Sequence, residues 1–238
     1  MRTLKLLAIV AGAALHAPLG AQQDAPARPD LSGIYEAAPF IGTPDVSQPD
    51  PYPYTAAGER AFEAYDVLSM DPRSLDDCAP DTVPGVLWSA NPMQISEEDG
   101  MIVLRFERAN ITRSIPLGGA LPADPEPTGL GHSVARWEGE VLTIETTHMS
   151  GGYLFNNRGY PLSTEGRITE RYRREPGENH TKLEVVVDDP ANYTETFTLG
   201  RNWMWAPHEE IRPWVCIDLG PSDAEPDIDE LTRLLEQL

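Results

Sequence analysis

Residues 131–147 indicate the fold class most clearly, and they read Gly-His-Ser-Val-Ala-Arg-Trp-Glu-Gly-Glu-Val-Leu-Thr-Ile-Glu-Thr-Thr. Its first five residues resemble the G-x-S-x-G nucleophile elbow, which requires a strand, a sharp turn and then a helix behind the serine. No helical pattern follows Ser133. A Glu138-Gly139 turn signal is followed instead by a β-rich run over residues 141–144, so the stretch predicts a β-hairpin and argues against a hydrolase elbow.

The turn length decides which side chains of this hairpin face inward. A two-residue turn, Glu138-Gly139 or Gly139-Glu140, puts one set of side chains on a common face: Ser133, Ala135, Trp137, Leu142 and Ile144. A three-residue loop over residues 138–140 would instead turn His132, Val134 and Arg136 to that face, since one residue of slip flips every side chain. We favour the first register because it matches apolar with apolar residues. Ser133 is then an inward hydrogen-bonding group, without an identified base that would make it a nucleophile.

Short strands continue along the rest of the chain. Beyond a strand near residues 32–37, strands are predicted at residues 93–96, 101–108, 110–116, 131–137, 141–147, 167–174, 181–187 and 193–199. Glycine-, proline- and asparagine-rich turns separate them, which is typical of an antiparallel barrel or sandwich. We expect a lipocalin-like barrel, because the hairpins lack long crossovers and a closed barrel leaves no exposed edge.

Helices are expected only near the two ends. Residues 55–65 predict a short N-terminal helix with Thr55 as its N-cap. Asp227 is placed to cap a C-terminal amphipathic helix whose apolar stripe is formed by Ile228, Leu231, Leu234, Leu235 and Leu238. This stripe either docks on its own barrel or forms a homodimer contact. The predicted organisation is an extended proline-rich segment at residues 22–53, one β domain at 54–220 and the helix at 221–238.

The N-terminus has the pattern of a secretory signal peptide at residues 1–21. Arg2 and Lys5 precede an apolar run at residues 6–15, and Leu19-Gly20-Ala21 fits a cleavage site. The run is too short to span a membrane, so we expect a periplasmic or secreted protein. In such an oxidising compartment the only two cysteines, Cys78 and Cys216, are expected to form a disulfide; a metal pair or redox couple is the alternative.

The formal net charge of −20 argues against nucleic acid and anionic membranes as partners, because both require basic patches. No H-x-H, H-E-x-x-H or cysteine-histidine spacing is present, so the sequence predicts neither a metal site nor a cofactor.

Strand alternation singles out Glu170 as an inward carboxylate. Ile168, Glu170 and Tyr172 share one face, and the opposite face is rich in arginine. A buried carboxylate must be paired, hydrogen-bonded or protonated. Glu170 is therefore either a functional acid or base, or the partner of an inward arginine, Arg113 or Arg136.

Further candidate site residues follow from their positions. By the same alternation Glu195 is a second inward candidate, or lies at the barrel mouth. His148 precedes a Gly151-Gly152 loop and could lie at the rim. His132 is a candidate catalytic partner of Glu170. The candidate ligand-binding set is Ser133, Arg113, Arg136, Trp137, Tyr172, Glu195 and His148.

The chain resembles a family of exported bacterial proteins of unassigned function that carries a G-H-S-x-G-x-W-E-G-D-x-L-x-V-x-T block. The similar segments, in matching order over residues 30–218, are residues 30–35, 77–80, 131–147, 170–172 (E-R-Y), 189–194 (D-P-x-x-Y-T) and the closing Val215-Cys216. Tyr35, Ala135 and Leu162 replace a tryptophan, a glycine and a histidine of the family pattern. The resemblance implies export and supplies no reaction.

Two hypotheses of function from different classes remain, and the sequence leaves open whether the protein is an enzyme. The first is an exported barrel that binds an apolar or aromatic small molecule. The second is a cofactor-free enzyme that uses Glu170 with a histidine, His132 or His148, or with Arg113 or Arg136. A weaker third is an envelope interaction protein.

Overall fold

The protein is described from a computed structural model over residues 28–37, 49–65, 82–155 and 159–215. The signal peptide, Cys78, Cys216 and the C-terminal helix lie outside the described residues, so these expectations remain predictions. No helix within the described ranges combines the length and apolarity that crossing a membrane requires.

Antiparallel strands dominate the described chain. They are β1 (Gly33–Ala37), β2 (Met93–Glu98), β3 (Met101–Phe106), β4 (Thr112–Pro116), β5 (His132–Glu138), β6 (Val141–Thr147), β7 (Gly152–Tyr153), β8 (Pro161–Leu162), β9 (Arg167–Arg173), β10 (His180–Asp188) and β11 (Phe197–Trp205). The described helical elements are α1 (Ala56–Glu63) and the 3₁₀ turns Gly85–Trp88 and Arg108–Asn110. Strands β7 and β8 form a separate small pair.

The main sheet has the strand order β4-β3-β2-β1-β11-β10-β9-β6-β5 and curls into a nearly closed barrel. Its two outer strands, β4 and β5, meet at a parallel bridge between Leu117 and Ala135, where the Gly118 N–H donates to the Ala135 carbonyl at 2.7 Å. Elsewhere in the described chain no strand ladder joins β4 to β5. We call this gap between β4 and residues 131–134 the seam. The lipocalin-like barrel expected from the sequence is confirmed.

The hairpin register expected from residues 131–147 is also confirmed. Strands β5 and β6 are joined by the two-residue turn Gly139-Glu140, and Ala135 lies opposite Ile144 while Trp137 lies opposite Leu142. The β2–β3 hairpin turns at Asp99-Gly100, where both residues have positive φ. Aspartate followed by glycine suits such a turn because glycine adopts this backbone conformation at no steric cost.

Large side chains fill the barrel interior. The largest fully buried ones include Trp203, Tyr35, Tyr172, Phe106, Met93 and Leu104. Arg201 also points inward from β11 and donates to the carbonyls of Leu87 and Ser89 at 3.0 and 2.6 Å, which caps the first 3₁₀ turn. Burial lowers the pKa of Arg201 to about 10. The middle of the barrel is therefore a packed core.

The last strand differs from the prediction of residues 193–199. It runs over Phe197–Trp205, because the backbone around Asp189 turns before β11 begins. The N–H groups of Asn192 and Tyr193 both donate to the Asp189 carbonyl, and the Thr194 N–H donates to Pro53 O. Glu195 consequently lies in an exposed bend, so its placement in the interior was wrong.

Helix α1 begins where its cap predicts. Thr55 Oγ1 accepts from the Gly58 N–H at 3.0 Å and donates to the Ala191 carbonyl at 2.8 Å, so the residue both caps the helix and ties it to the turn before β11. Gly58 lies against that turn: a Cβ atom built on it would come within 2.1 Å of Asn192 O. A side chain at position 58 would force helix and turn apart.

Replacing Gly58 by alanine should therefore destabilise the fold. In an ordinary helix interior the same replacement stabilises the helix by about 1 kcal/mol. We expect Gly58→Ala to lower the free energy of unfolding by about 1–3 kcal/mol, because backbone rather than a flexible side chain blocks the methyl group. Urea unfolding checks this, with Gly129→Ala as control, since its Cβ would meet only Thr82 Cγ2 at 3.6 Å. Equal stability of wild type and Gly58→Ala would contradict the close packing.

Candidate functional site

A buried ion pair occupies the barrel interior. Arg113 projects inward from β4 and Glu170 from β9, as strand alternation predicted for Glu170. The guanidinium forms a bidentate ion pair with the carboxylate: Nη2 lies 2.7 Å from Oε1 and Nη1 lies 3.1 Å from Oε2. Arg113 is 4% exposed and Glu170 is 0% exposed. The partner of Glu170 is thus Arg113, one of the two arginines proposed for an inward pair.

Three hydroxyl groups complete this cluster. Tyr172 donates from its hydroxyl to Glu170 Oε2 at 2.7 Å. Arg113 Nη2 also lies within reach of Thr146 Oγ1 at 3.2 Å and Ser133 Oγ at 3.3 Å, and these two oxygens are 2.8 Å apart. The five residues come from β4, β5, β6 and β9, so a single polar network spans the seam. We call it the seam cluster.

Charge and burial act together in the seam cluster. Burial alone would lower the pKa of the Arg113 guanidinium, but the attraction and hydrogen bonds of Glu170 outweigh it and the pKa is raised. Burial, followed by the nearby Glu170 charge, raises the pKa of the Tyr172 hydroxyl well above its ordinary value. Tyr172 therefore remains a protonated donor. With both carboxylate oxygens engaged, Glu170 is held for structure rather than exposed to a reactant.

A groove of about 430 Å³ lies along the seam outside this cluster. Its walls are the five residues of β4, residues 131–134 and parts of the connecting loop, including Thr128 and Leu130. Arg113 and Ser133 belong both to the groove lining and to the seam cluster. Glu170 lies behind them, fully covered.

The two candidate histidines lie away from Glu170. His132 pairs with Thr147 in the β5–β6 ladder, on the opposite face of the sheet from Ser133, and its Nε2 lies 2.9 Å from Glu126 O. The structure therefore does not bring His132 into contact with Glu170, and the catalytic role of His132 gains no support from its position. His148 follows β6, with Nδ1 at 2.9 Å from Thr147 Oγ1, and its ring centroid is 6.3 Å from that of His132. Within the described residues no group of three or more histidine, cysteine, aspartate or glutamate side chains is placed to hold a metal ion.

Arg136 also lies outside the barrel. Its Nε is 2.7 Å from Glu138 Oε1 and its Nη1 is 3.4 Å from Glu145 Oε2 on the outer wall. The two-residue turn between β5 and β6 explains this, because it turns the even-numbered side chains of β5 outward. The expectation of Arg136 as an interior partner of Glu170 was wrong.

A second cavity opens at the end of the barrel where the Asp99-Gly100 and Gly139-Glu140 turns lie. We call it the mouth cavity; its volume is about 210 Å³. Its apolar wall is formed by Leu31, Ile95, Ile102, Trp137 and Leu142, and its rim by Arg28, Pro29, Asp30, Ser32, Ser96 and Glu97. Of the residues predicted from the sequence to bind a ligand, Trp137 lines this cavity. The aliphatic residues were missed, although their alternation beside hairpin turns is a visible signal.

Trp137 carries the most unusual polar group of the mouth cavity. Its indole Nε1 is inaccessible to solvent and has no hydrogen-bond acceptor among the described residues. The Arg28 guanidinium lies 5.9 Å from the ring centroid. A buried donor without an acceptor costs about 1–3 kcal/mol, which makes this nitrogen a candidate contact for a ligand.

Several residues of the family-like blocks have structural contacts. Asp189 is buried and accepts from the Ser163 N–H, the Ser163 hydroxyl and Asn192 Nδ2 at 2.8, 2.6 and 2.8 Å. The Tyr193 hydroxyl donates to Pro161 O at 2.8 Å. The D-P-A-N-Y-T and P-L-S segments thus hold each other beside α1. Leu162, at the position of the family histidine, is buried in the core.

Comparison with known proteins finds no matching family model, no matching curated protein and no matching solved structure. The resemblance to exported bacterial proteins therefore stays a prediction, and the site is interpreted from its own geometry.

Removing the charge of Glu170 should destabilise the protein strongly. Glu170→Gln keeps the shape of the side chain but leaves the Arg113 guanidinium buried without a counter-charge, which typically costs about 3–5 kcal/mol. The matched control is Glu145→Gln on the outer wall, whose carboxylate is 21% exposed and pairs with Arg136 and Arg167; it should cost no more than about 1 kcal/mol. Urea unfolding of both variants measures the difference, and a Glu170→Gln protein within 1 kcal/mol of wild type would overturn the structural role of the pair.

Proposed function

We propose that the protein is an exported barrel that binds an apolar or aromatic small molecule in the mouth cavity. The observation that carries this proposal is the buried indole N–H of Trp137, which lacks an acceptor among the described residues and belongs to a side chain that lines that cavity. A ligand that offers a carbonyl or ether oxygen to this nitrogen would remove the cost of the unpaired donor.

The composition of the wall supports an apolar ligand body. Leu31, Ile95, Ile102 and Leu142 line the cavity together with Trp137, and each of the four is at most 3% exposed. Apolar walls with a few placed polar groups are the usual construction of small-molecule sites. The charged side chains Arg28, Asp30 and Glu97 lie at the rim, where they remain compatible with water.

The size of the cavity narrows the ligand class. A volume of about 210 Å³ is smaller than the roughly 300–1,000 Å³ of sites for drug-sized ligands. The site therefore suits a compact molecule of one or two rings with one hydrogen-bond acceptor. Export is supported by the signal-peptide pattern of residues 1–21 and by the two cysteines.

The enzyme hypothesis has weaker support. Its base, Glu170, is fully buried, held by Arg113 through two contacts and capped by Tyr172. General-base catalysis requires the carboxylate to reach a substrate proton, directly or through one water molecule. The mouth cavity thus supports binding better than the seam cluster supports catalysis.

Two ligands that differ by one acceptor test the proposal. Acetophenone offers a carbonyl oxygen, whereas ethylbenzene has nearly the same shape without one. Ligand-observed NMR titrations give the ratio of the two dissociation constants for wild type and for Trp137→Phe. We expect wild type to favour acetophenone by roughly 2- to 10-fold more than Trp137→Phe does, which is the worth of one hydrogen bond. Comparing ratios cancels the different water solubilities of the ligands and the change in cavity size.

Trp88→Phe is the matched control. Trp88 lies at the other end of the barrel, where its ring packs edge-on against Phe155 at 5.0 Å, so this variant should keep the wild-type ratio. The same ratio in all three proteins would exclude Trp137 as the ligand contact. Failure of both compounds to bind wild type at millimolar concentration would refute the mouth cavity as an aromatic site.

A further inference from the structure

A basic recess lies on the outer wall of the barrel, separate from the mouth cavity and the seam. It has a volume of about 310 Å³ and is lined mainly by residues of β9, β10 and β11, with Val141 and Glu175 beside them. Its charged and polar lining consists of Arg171, Arg173, Lys182, Arg201, Asn202, Glu175 and Glu184, and of these Arg201 donates to the Leu87 and Ser89 carbonyls. We call it the outer recess.

Two basic residues of the outer recess lie close enough to repel each other. Lys182 lies directly opposite Arg173 in the β9–β10 ladder and opposite Asn202 in the β10–β11 ladder. Like charges directly opposite each other destabilise a sheet. The whole chain has 38 acidic and 18 basic residues, so a recess lined by four basic residues and two acidic ones differs from the average composition of the chain.

Two of these cations form no ion pair with a described residue. Arg173 Nε pairs with Glu175 Oε1 at 2.9 Å. Arg171 and Lys182, in contrast, form no ion pair and no side-chain hydrogen bond with any described residue, although Glu184 lies opposite Arg171 in the ladder. The recess therefore holds two unpaired basic groups side by side.

Other arginines of the same wall behave differently. Arg136 and Arg167 both pair with Glu145, and Arg136 also pairs with Glu138. Ion pairing is therefore available on this surface, and the residues of the recess are exceptions to it. Gly200 lies opposite Glu184 and has no side chain that would fill the outer recess.

We propose that the outer recess binds a small soluble molecule that carries a phosphate group, such as a phosphomonoester. Arginine and lysine are the usual phosphate-binding side chains, because guanidinium and ammonium groups donate charge-assisted hydrogen bonds to phosphate oxygens. Asn202 supplies an uncharged amide donor beside Lys182. A dianion would offset the repulsion between Arg173 and Lys182 and would give Arg171 and Lys182 a direct ion-pair partner.

The rest of the molecule favours a soluble ligand over a lipid headgroup. The protein's net charge of −20 repels an anionic bilayer, whereas a small anion can enter a local basic field. The volume of about 310 Å³ exceeds what one phosphate group fills, so it leaves space for an organic substituent. This proposal is independent of the ligand of the mouth cavity.

Calorimetric titration with phenyl phosphate and with inorganic phosphate tests the site at low ionic strength, where surface charge is least screened. We expect wild type to bind both. Arg171→Gln and Lys182→Gln should each weaken binding roughly tenfold, the effect of losing one charge-assisted hydrogen bond. The controls Arg136→Gln and Arg167→Gln, which change the net charge equally on the same wall, should stay within about twofold of wild type.

Stability measurements separate lost binding from lost folding. Without phosphate, Lys182→Gln should unfold at or above the wild-type temperature, because the substitution removes a like-charge contact with Arg173. Adding phosphate should raise the unfolding temperature of wild type more than sodium chloride of equal ionic strength does, and should do so less for Lys182→Gln.

Three results would overturn the proposal. The first is no binding of either probe to wild type at about 10 mM, since a built site should exceed that affinity. The second is equal weakening by the recess variants and the two controls, which would indicate a general charge effect. The third is Lys182-dependent binding to phosphatidylglycerol vesicles without binding of soluble phosphate, which would identify a membrane surface instead.

Discussion

The ion pair between Arg113 and Glu170 links β4 to the strands on the other side of the seam, where no backbone ladder joins the described residues of β4 to those of β5. Strands β4 and β5 share one bridge, at Leu117 and Ala135, and no ladder along the described remainder of their edges. Arg113 extends from β4 past β5 and β6 to reach β9. Since an isolated charge could not remain in this interior, each partner requires the other in place. The closure of the barrel therefore depends on a side-chain contact rather than on continuous backbone pairing.

The buried polar residues that close the barrel are different from the residues that line the two proposed binding sites. The inward carboxylate is saturated by Arg113 and Tyr172, and the middle of the barrel is filled by large side chains such as Trp203. Groups without a partner among the described residues also lie at the two proposed sites: the indole nitrogen of Trp137, whose side chain lines the mouth cavity, and Arg171 and Lys182 in the outer recess. Groups that folding leaves without partners are where ligands gain the most from binding. Both proposed sites contain polar groups without a partner in the described part of the chain, and they differ in the class of ligand that we expect each to bind.

Much of the fold could be predicted because strand alternation and turn chemistry are local. The inward position of Glu170 and the β5–β6 register followed from neighbouring residues. The start of β11 did not, because the turn at Asp189 is fixed by contacts with Pro53 and Ser163, which are distant in sequence, and Glu195 was misplaced with it. The mouth cavity was missed for the same reason, since it joins residues near position 30 to three hairpin strands. Residues from such distant segments come together only when the barrel closes, so the pattern of a single strand does not predict the cavity.

Hydrogen exchange in a protein that lacks the ion pair tests the closure of the seam most directly. Arg113→Met combined with Glu170→Met replaces both charges by apolar groups, a change that often leaves global stability nearly intact. If the pair holds the seam, amides of β4 and of residues 131–134 should lose protection by about tenfold or more, while β9 and β10 keep theirs. Unchanged protection at the seam, or an equal loss across all strands, would show that the barrel closes without the ion pair.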